Sequence, residues 1–249
     1  MPDVGRRTLP TPWVRVALAV LIGVVSASRV QAQLSPQFCG ALTNGFGPFD
    51  YRYDRFKPSP GDQGSYHFAL RIVEDNHFTP EVEALIRGKT NTTPQLDLDY
   101  TIRAFPNHHR VLAALIRLWE RTKSPQPGNL PRPIECYFER AVRFQPDDTT
   151  VRMLYAMFLH KDNRHLEALR QLEGALSYAQ DNAFTHYNIG LVYLDVNEPT
   201  KALAQAHRAL ALGFPRMELK SRLVALGKWQ EPLADLVPLD PATPVNATK

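Results

Sequence analysis

Only two cysteines, Cys39 and Cys136, occur in the 249 residues. That excludes a disulfide-dense scaffold and any zinc site built on paired cysteines. No His-Glu-x-x-His, no G-x-S-x-G, no phosphate-binding glycine loop and no carboxylate cluster at ligand spacing is present. The chain therefore offers no catalytic, metal or cofactor motif, and the sequence reading is of a protein that is not an enzyme. Long apolar runs are missing too. The stretch "VALAVLIGVVSA" (16–27) falls short of the roughly 20 residues that span a bilayer.

A surplus of one charge is also absent once the N-terminus is set aside. The formal net charge is +4, but residues 1–32 carry Arg6, Arg7, Arg15 and Arg29 against Asp3 alone. Without them the balance is close to neutral and no basic stripe remains, which argues against nucleic acid as a partner. Those same residues read as a secretory signal: a positive start, the apolar run, and "VQA" (30–32) as a small-residue cleavage site. Cleavage near Ala32 would leave an exported chain, periplasmic or secreted, with no transmembrane span. A retained N-terminal anchor is the alternative. In an oxidising compartment the two cysteines invite a disulfide, with two free buried thiols as the other reading.

What the chain does have is a repeat. Residues 151–179 moved forward by 34 fall on 185–213, so that Ala156 meets Gly190, Ala168 meets Ala202 and Ala175 meets Ala209. Small residues at fixed helical offsets let two antiparallel helices approach closely. Each unit reads as helix, turn, helix, with "KDNR" (161–164) and Asn197-Glu198-Pro199 as the turns. Proline at the start of a helix lacks only an N–H that would be unpaired anyway. "IECYFERAVRFQP" (134–146) is an earlier second helix, and "NHHRVLAALIRLWERT" (107–122) its first, separated by an enlarged proline-rich loop.

The period, with Ile189, Gly190, Tyr193, Ala202 and Ala209 at its signature places, resembles the tetratricopeptide repeat (TPR) family. His186, Ala206 and Pro215 depart from the pattern. The resemblance implies an all-α, TPR-like solenoid of helix-turn-helix units. The organisation expected is a signal peptide (1–32), an irregular but ordered aromatic-rich segment (33–78) and a degenerate half-repeat (79–106). Three repeats follow (107–148, 149–182 and 183–216), then a capping helix (217–230) and a proline-rich tail (231–249).

In that family the first helices of successive repeats line a concave groove that takes partner peptides. Carried over by register, the groove would be lined by His108, Val111, Leu115, Leu118 and Trp119, then Met153, Met157 and His160, then Phe184, Tyr187, Leu191 and Leu194. The lining is apolar and does not reproduce the Lys and Asn pattern with which some relatives hold a terminal carboxylate. Exposed apolar surface of that size asks for an occupant, either a partner or residues 33–78 of the chain itself. The implied function is an exported scaffold or adaptor for another protein or peptide. The alternative is an accessory docking subunit of a secretion, transport or envelope-assembly complex. The eight histidines read as scattered surface residues, Asp97 and Asp99, alternating with leucine, as one polar face, and "NTT" (91–93) and "NAT" (246–248) match the glycosylation sequon.

Overall fold

The computed structural model describes residues 36–56, 66–89 and 93–232. The expected signal peptide, both sequon asparagines and most of the expected tail lie outside the described residues. Contacts divide the chain into two units, 1–41 and 42–249. Of the first, the described part includes one helical turn, α1 (Pro36–Cys39). Both cysteines are disulfide-bonded and none is free, so Cys39 and Cys136 are joined.

The second unit is built from helices, with no strand among the described residues. They are α2 (Tyr51–Phe56), α3 (Tyr66–His77), α4 (Pro80–Glu83), α5 (Pro94–Ala104), α6 (His109–Thr122) and α7 (Ile134–Phe144). Then come α8 (Thr149–Lys161), α9 (His165–Ala179), α10 (Ala183–Asp195), α11 (Pro199–Ala211) and α12 (Glu218–Ala225). The closest pairings are between chain neighbours, α8 on α9 and α10 on α11, while α5 leans most on α3 and α6 on α8, as in an all-α solenoid.

One connection recurs wherever a helix pair gives way to the next. The carbonyls of Phe105, Gln145 and Ala179 accept from the N–H groups of His108, Asp148 and Asn182, at 3.0, 3.1 and 3.0 Å. Each of those residues then caps the following helix, its side chain accepting from backbone N–H groups that the helix leaves unpaired. The turns within pairs repeat as well. Asn163 and Asn197 both sit in the left-handed region, at φ 62° and 64°. Asparagine tolerates that region better than most residues. The N–H of the next residue closes each helix end, Arg164 on Leu159 O and Glu198 on Tyr193 O, both at 2.8 Å.

Inside the pairs, Ala168, Ala175, Ala202 and Ala209 are buried where helices touch. Gly190 has a further reason to be small: a Cβ there would stand 2.4 Å from Leu219 Cδ2 and 3.2 Å from Gln205 Cβ. Its absence lets α12 lie against α10, covering the end of the stack with Leu219 and Leu223. The core continues through the aromatic contacts Trp119–Phe158, Phe138–Phe158 and Phe138–Tyr155, with centroids 5.6, 5.2 and 5.2 Å apart. Rings of this size bury large apolar areas at the centre of the repeats.

The N-terminal third departs from expectation. The segment read as irregular contains α3, whose Ala69, Leu70 and Val73 are buried against α5 and α2. At the start of the expected half-repeat, "PEVEALIRG" (80–88) is helical only over Pro80–Glu83 and then turns at Leu85, φ 59°. The helix that packs most extensively on α5 is thus α3, with α4 adding a smaller contact. Upstream, Phe49 N–H donates to Ala104 O at 2.8 Å, and Gly47, φ 93°, follows so closely that a Cβ would lie 2.5 Å from that same oxygen. The Gly47–Pro48 bond is cis. The aromatic segment is thereby fixed on the α5–α6 junction.

Asp97 and Asp99 are not a solvated face. Both are buried. Asp97 accepts from Lys89 N–H at 2.9 Å and pairs with His77 Nδ1 at 2.9 Å. Asp99 accepts from Tyr137 OH (2.8 Å), Arg103 Nε (2.8 Å) and Arg132 Nη1 (3.2 Å), tying α5 and the enlarged loop to α7. A carboxylate without such partners would not be tolerated at that depth.

Candidate functional site

Between α8 and α10 the surface opens into a cavity of about 590 Å³. From α8 it is lined by Thr149, Thr150, Met153, Leu154 and Met157, and from α10 by Phe184, Thr185, Asn188, Leu191 and Val192. On each helix these positions follow i, i+3, i+4, i+7 spacing, one face of a 3.6-residue period. The floor is apolar, and Phe184 at its edge is 55% exposed. Thioether side chains such as Met153 and Met157 adapt to differently shaped apolar ligands.

One end of the cavity is polar and closed by Tyr51, Arg52, His109, Asp147 and Asp148. Asp148 organises it. Its carboxylate accepts from Thr150 and Val151 N–H (3.1 and 3.2 Å) and from Asn107 Nδ2 (2.9 Å), and pairs with His109 Nε2 at 2.8 Å. Burial would raise the Asp148 pKa, but His109, Asn107 and the Val151 amide hold it below the usual carboxylate range. Asn107 in turn donates to Asp50 Oδ1 at 2.7 Å and accepts from Tyr51 N–H at 3.0 Å. Arg52 bonds Asp50 (2.7 Å) and Asp147 (2.9 Å) and stands 3.8 Å from Asp148. These carboxylates hold the guanidinium firmly protonated. Beneath them His108 is fully buried, stacked on Tyr51 at 4.1 Å, with Nδ1 accepting from Val111 N–H and Nε2 donating to Glu74 at 3.0 Å.

Of the residues read from register as groove lining, Met153, Met157, Phe184 and Leu191 meet in this cavity. The others do not line it. His108, Val111, Leu115, Leu118 and Trp119 are interior, because α6 is covered by α5, α7 and α8 and gives the cavity only His109. Tyr187 and Leu194 are buried as well. Tyr187 turns to the end of the stack, 4.7 Å from the Phe214 ring, with its hydroxyl on Glu218 at 3.3 Å. His160 lies at the α8–α9 turn against His165, with Nδ1 buried and unpartnered.

Register reasoning missed Arg52, His109, Asp147 and Asn188. The first comes from a segment outside the repeats. The pair Asp147-Asp148 was visible only as the cap position that Asn182 repeats 34 residues later. The expectation of surface histidines fails for His108 and also for His186, which is buried between Gln205 Oε1 and Gln180 O, both at 2.7 Å. Among the described residues, no group of three His, Cys, Asp or Glu is placed to hold a metal ion. No helix among them is long and apolar enough to cross a membrane.

Fold and cavity together define an all-α solenoid of helix pairs, consistent with a TPR-like protein, with a groove between the first helices of two successive pairs. Over 156 residues the chain is 28% identical to the protein O-mannosyl-transferase TMTC3 of Homo sapiens, a match covering 61% of this chain. It spans 16% of that protein's length. No family model matches the chain. No solved structure matches it.

Proposed function

We propose that this protein is an exported, non-catalytic scaffold that holds a segment of another protein in the α8–α10 groove. The observation that carries the proposal is the cavity itself: an open apolar floor on the first helices of two adjacent repeats, walled at one end by a built polar network. Such a surface is larger than scattered exposed side chains require and fits a peptide or helix with apolar anchors. Export is supported by the leader-like first 32 residues and by the disulfide, a bond that persists in oxidising compartments. We read the likeness to a sixth of the human transferase as one of repeat register, and the activity in that protein's name is not part of the proposal.

Within residues 33–78, the described part reaches the cavity only through Tyr51 and Arg52, at its end. Among the described residues of that segment no other lines the floor, which supports reading the floor as a partner's site. Met157→Glu with Leu191→Glu tests this, since both side chains are only partly buried and face the cavity. The double variant should keep its helical signal and melting temperature while losing recovery of partners in crosslinking pull-downs. Unchanged recovery would remove the groove from the account.

A further inference from the structure

The polar end of the groove carries more negative than positive charge, and this bears on what can lie there. Asp50, Asp147 and Asp148 gather around one guanidinium, Arg52, with His109 the other basic group. Asp50 and Asp148 are spent on internal bonds: their side chains are 8% and 2% exposed, and both accept from Asn107. Asp147 differs. It makes one ion pair, with Arg52, and its side chain is 51% exposed at the cavity wall. The remaining polar lining, Thr149, Thr150, Thr185 and Asn188, is uncharged.

Resting on the groove reading above, we infer that the occupant is a polypeptide segment whose apolar side chains seat on Met153, Met157 and Leu191 and whose adjoining end is cationic, placing lysine or arginine beside Asp147. A carboxylate-ended or acidic segment would meet the acidic surplus and be disfavoured. This is the opposite selectivity to the carboxylate-holding pattern that the groove lacks. The contact with Asp147 is half exposed, so its effect on affinity is modest and strongly dependent on salt. Its larger effect is on orientation, since like charges placed together penalise the reversed peptide.

The test uses the full chain and two fluorescein-labelled ten-residue peptides with the same leucine and phenylalanine core, one ending in two lysines and the other in two glutamates. At low salt the lysine-ended peptide should bind about fivefold more tightly, as expected for exposed ion pairs. The preference should fall below about twofold at roughly 0.5 M salt. Asp147→Asn should lower affinity for the lysine-ended peptide and leave the glutamate-ended one unchanged or tighter. Equal binding of both peptides at low salt, or preference for the glutamate-ended one, would overturn the inference while leaving the groove reading intact. Binding of neither peptide would overturn both. The salt titration needs no variant, so a folding defect in Asp147→Asn cannot hide the outcome.

Discussion

Replacing Asp148 by alanine should loosen the stack at the junction where the first pair hands over to the second. Two losses combine. The α8 cap accepts from Thr150 and Val151 N–H, and a lost cap of this kind typically removes about 1 kcal/mol. His109 and Asn107 then lose a buried acceptor, and stranded buried donors cost about 1–3 kcal/mol. Asn107 retains Asp50, which keeps the second figure toward its lower half. The sum is about 2–3 kcal/mol, or roughly a 4–12 °C fall in Tm for a domain of this size. Asp148→Asn keeps an oxygen for the cap and should lose about half as much. The pH dependence supplies a second readout. The folded-state pKa of Asp148 lies below the ordinary 3.8, so its stabilising contribution is present above that value and lost as pH falls through the folded pKa. The alanine variant should lack that part of the acid limb. Thermal and urea denaturation between neutral pH and about pH 3 would measure both effects. A Tm for Asp148→Ala within about 2 °C of wild type would refute the reasoning, and so would equal losses for alanine and asparagine.

Three further outcomes follow from the same packing. Gly47→Ala forces a Cβ against Ala104 O at a positive φ and should cost about 1–3 kcal/mol, read from urea midpoints; no shift would mean the segment is not fixed there. Burial lowers the His108 pKa, with Glu74 opposing, so stability should be full above the unfolded value of 6.5 and decline as pH falls toward the folded pKa. His108→Asn should flatten that decline, and an unchanged slope would contradict the buried neutral assignment. Reducing the Cys39–Cys136 bond should lower the unfolding free energy by up to about 4–5 kcal/mol in the chain-entropy limit, and Tm with it; an unchanged Tm with both thiols titrated free would show that the bond contributes nothing.

The repeats were legible because their signal is repeated. Ala168 and Ala202, Ala175 and Ala209, and the turn asparagines Asn163 and Asn197 say the same thing twice at one spacing. The site was half legible. Periodicity identifies a face to within about one residue, and on α10 the cavity side runs through Phe184, Asn188, Leu191 and Val192, while Tyr187 and Leu194 fall round the helix into packing. On α6 register could not reveal that neighbours bury the whole apolar surface, because that depends on α5 and on the longer loop before α7. The N-terminal third was least legible. α3 buries Ala69, Leu70 and Val73 but leaves the apolar Phe68 and Ile72 exposed, so its composition does not mark the buried face, and Asp97 and Asp99 look like solvent-facing residues until partners distant in sequence are placed beside them. Arg52 reaches the groove only through the backbone bonds of Phe49 and Tyr51 to Ala104 and Asn107, which have no sequence period.

The central claim is that a partner segment occupies the face between α8 and α10. A photo-crosslinking residue placed at Met157, and separately at Tyr178 on α9, tests it most directly, because Met157 lines the cavity and the half-exposed Tyr178 does not. Crosslinking in the intact cell followed by mapping of the attached peptide should give one recurring apolar segment from Met157 and none from Tyr178. Attachment of that segment at Tyr178, with none at Met157, would contradict the account.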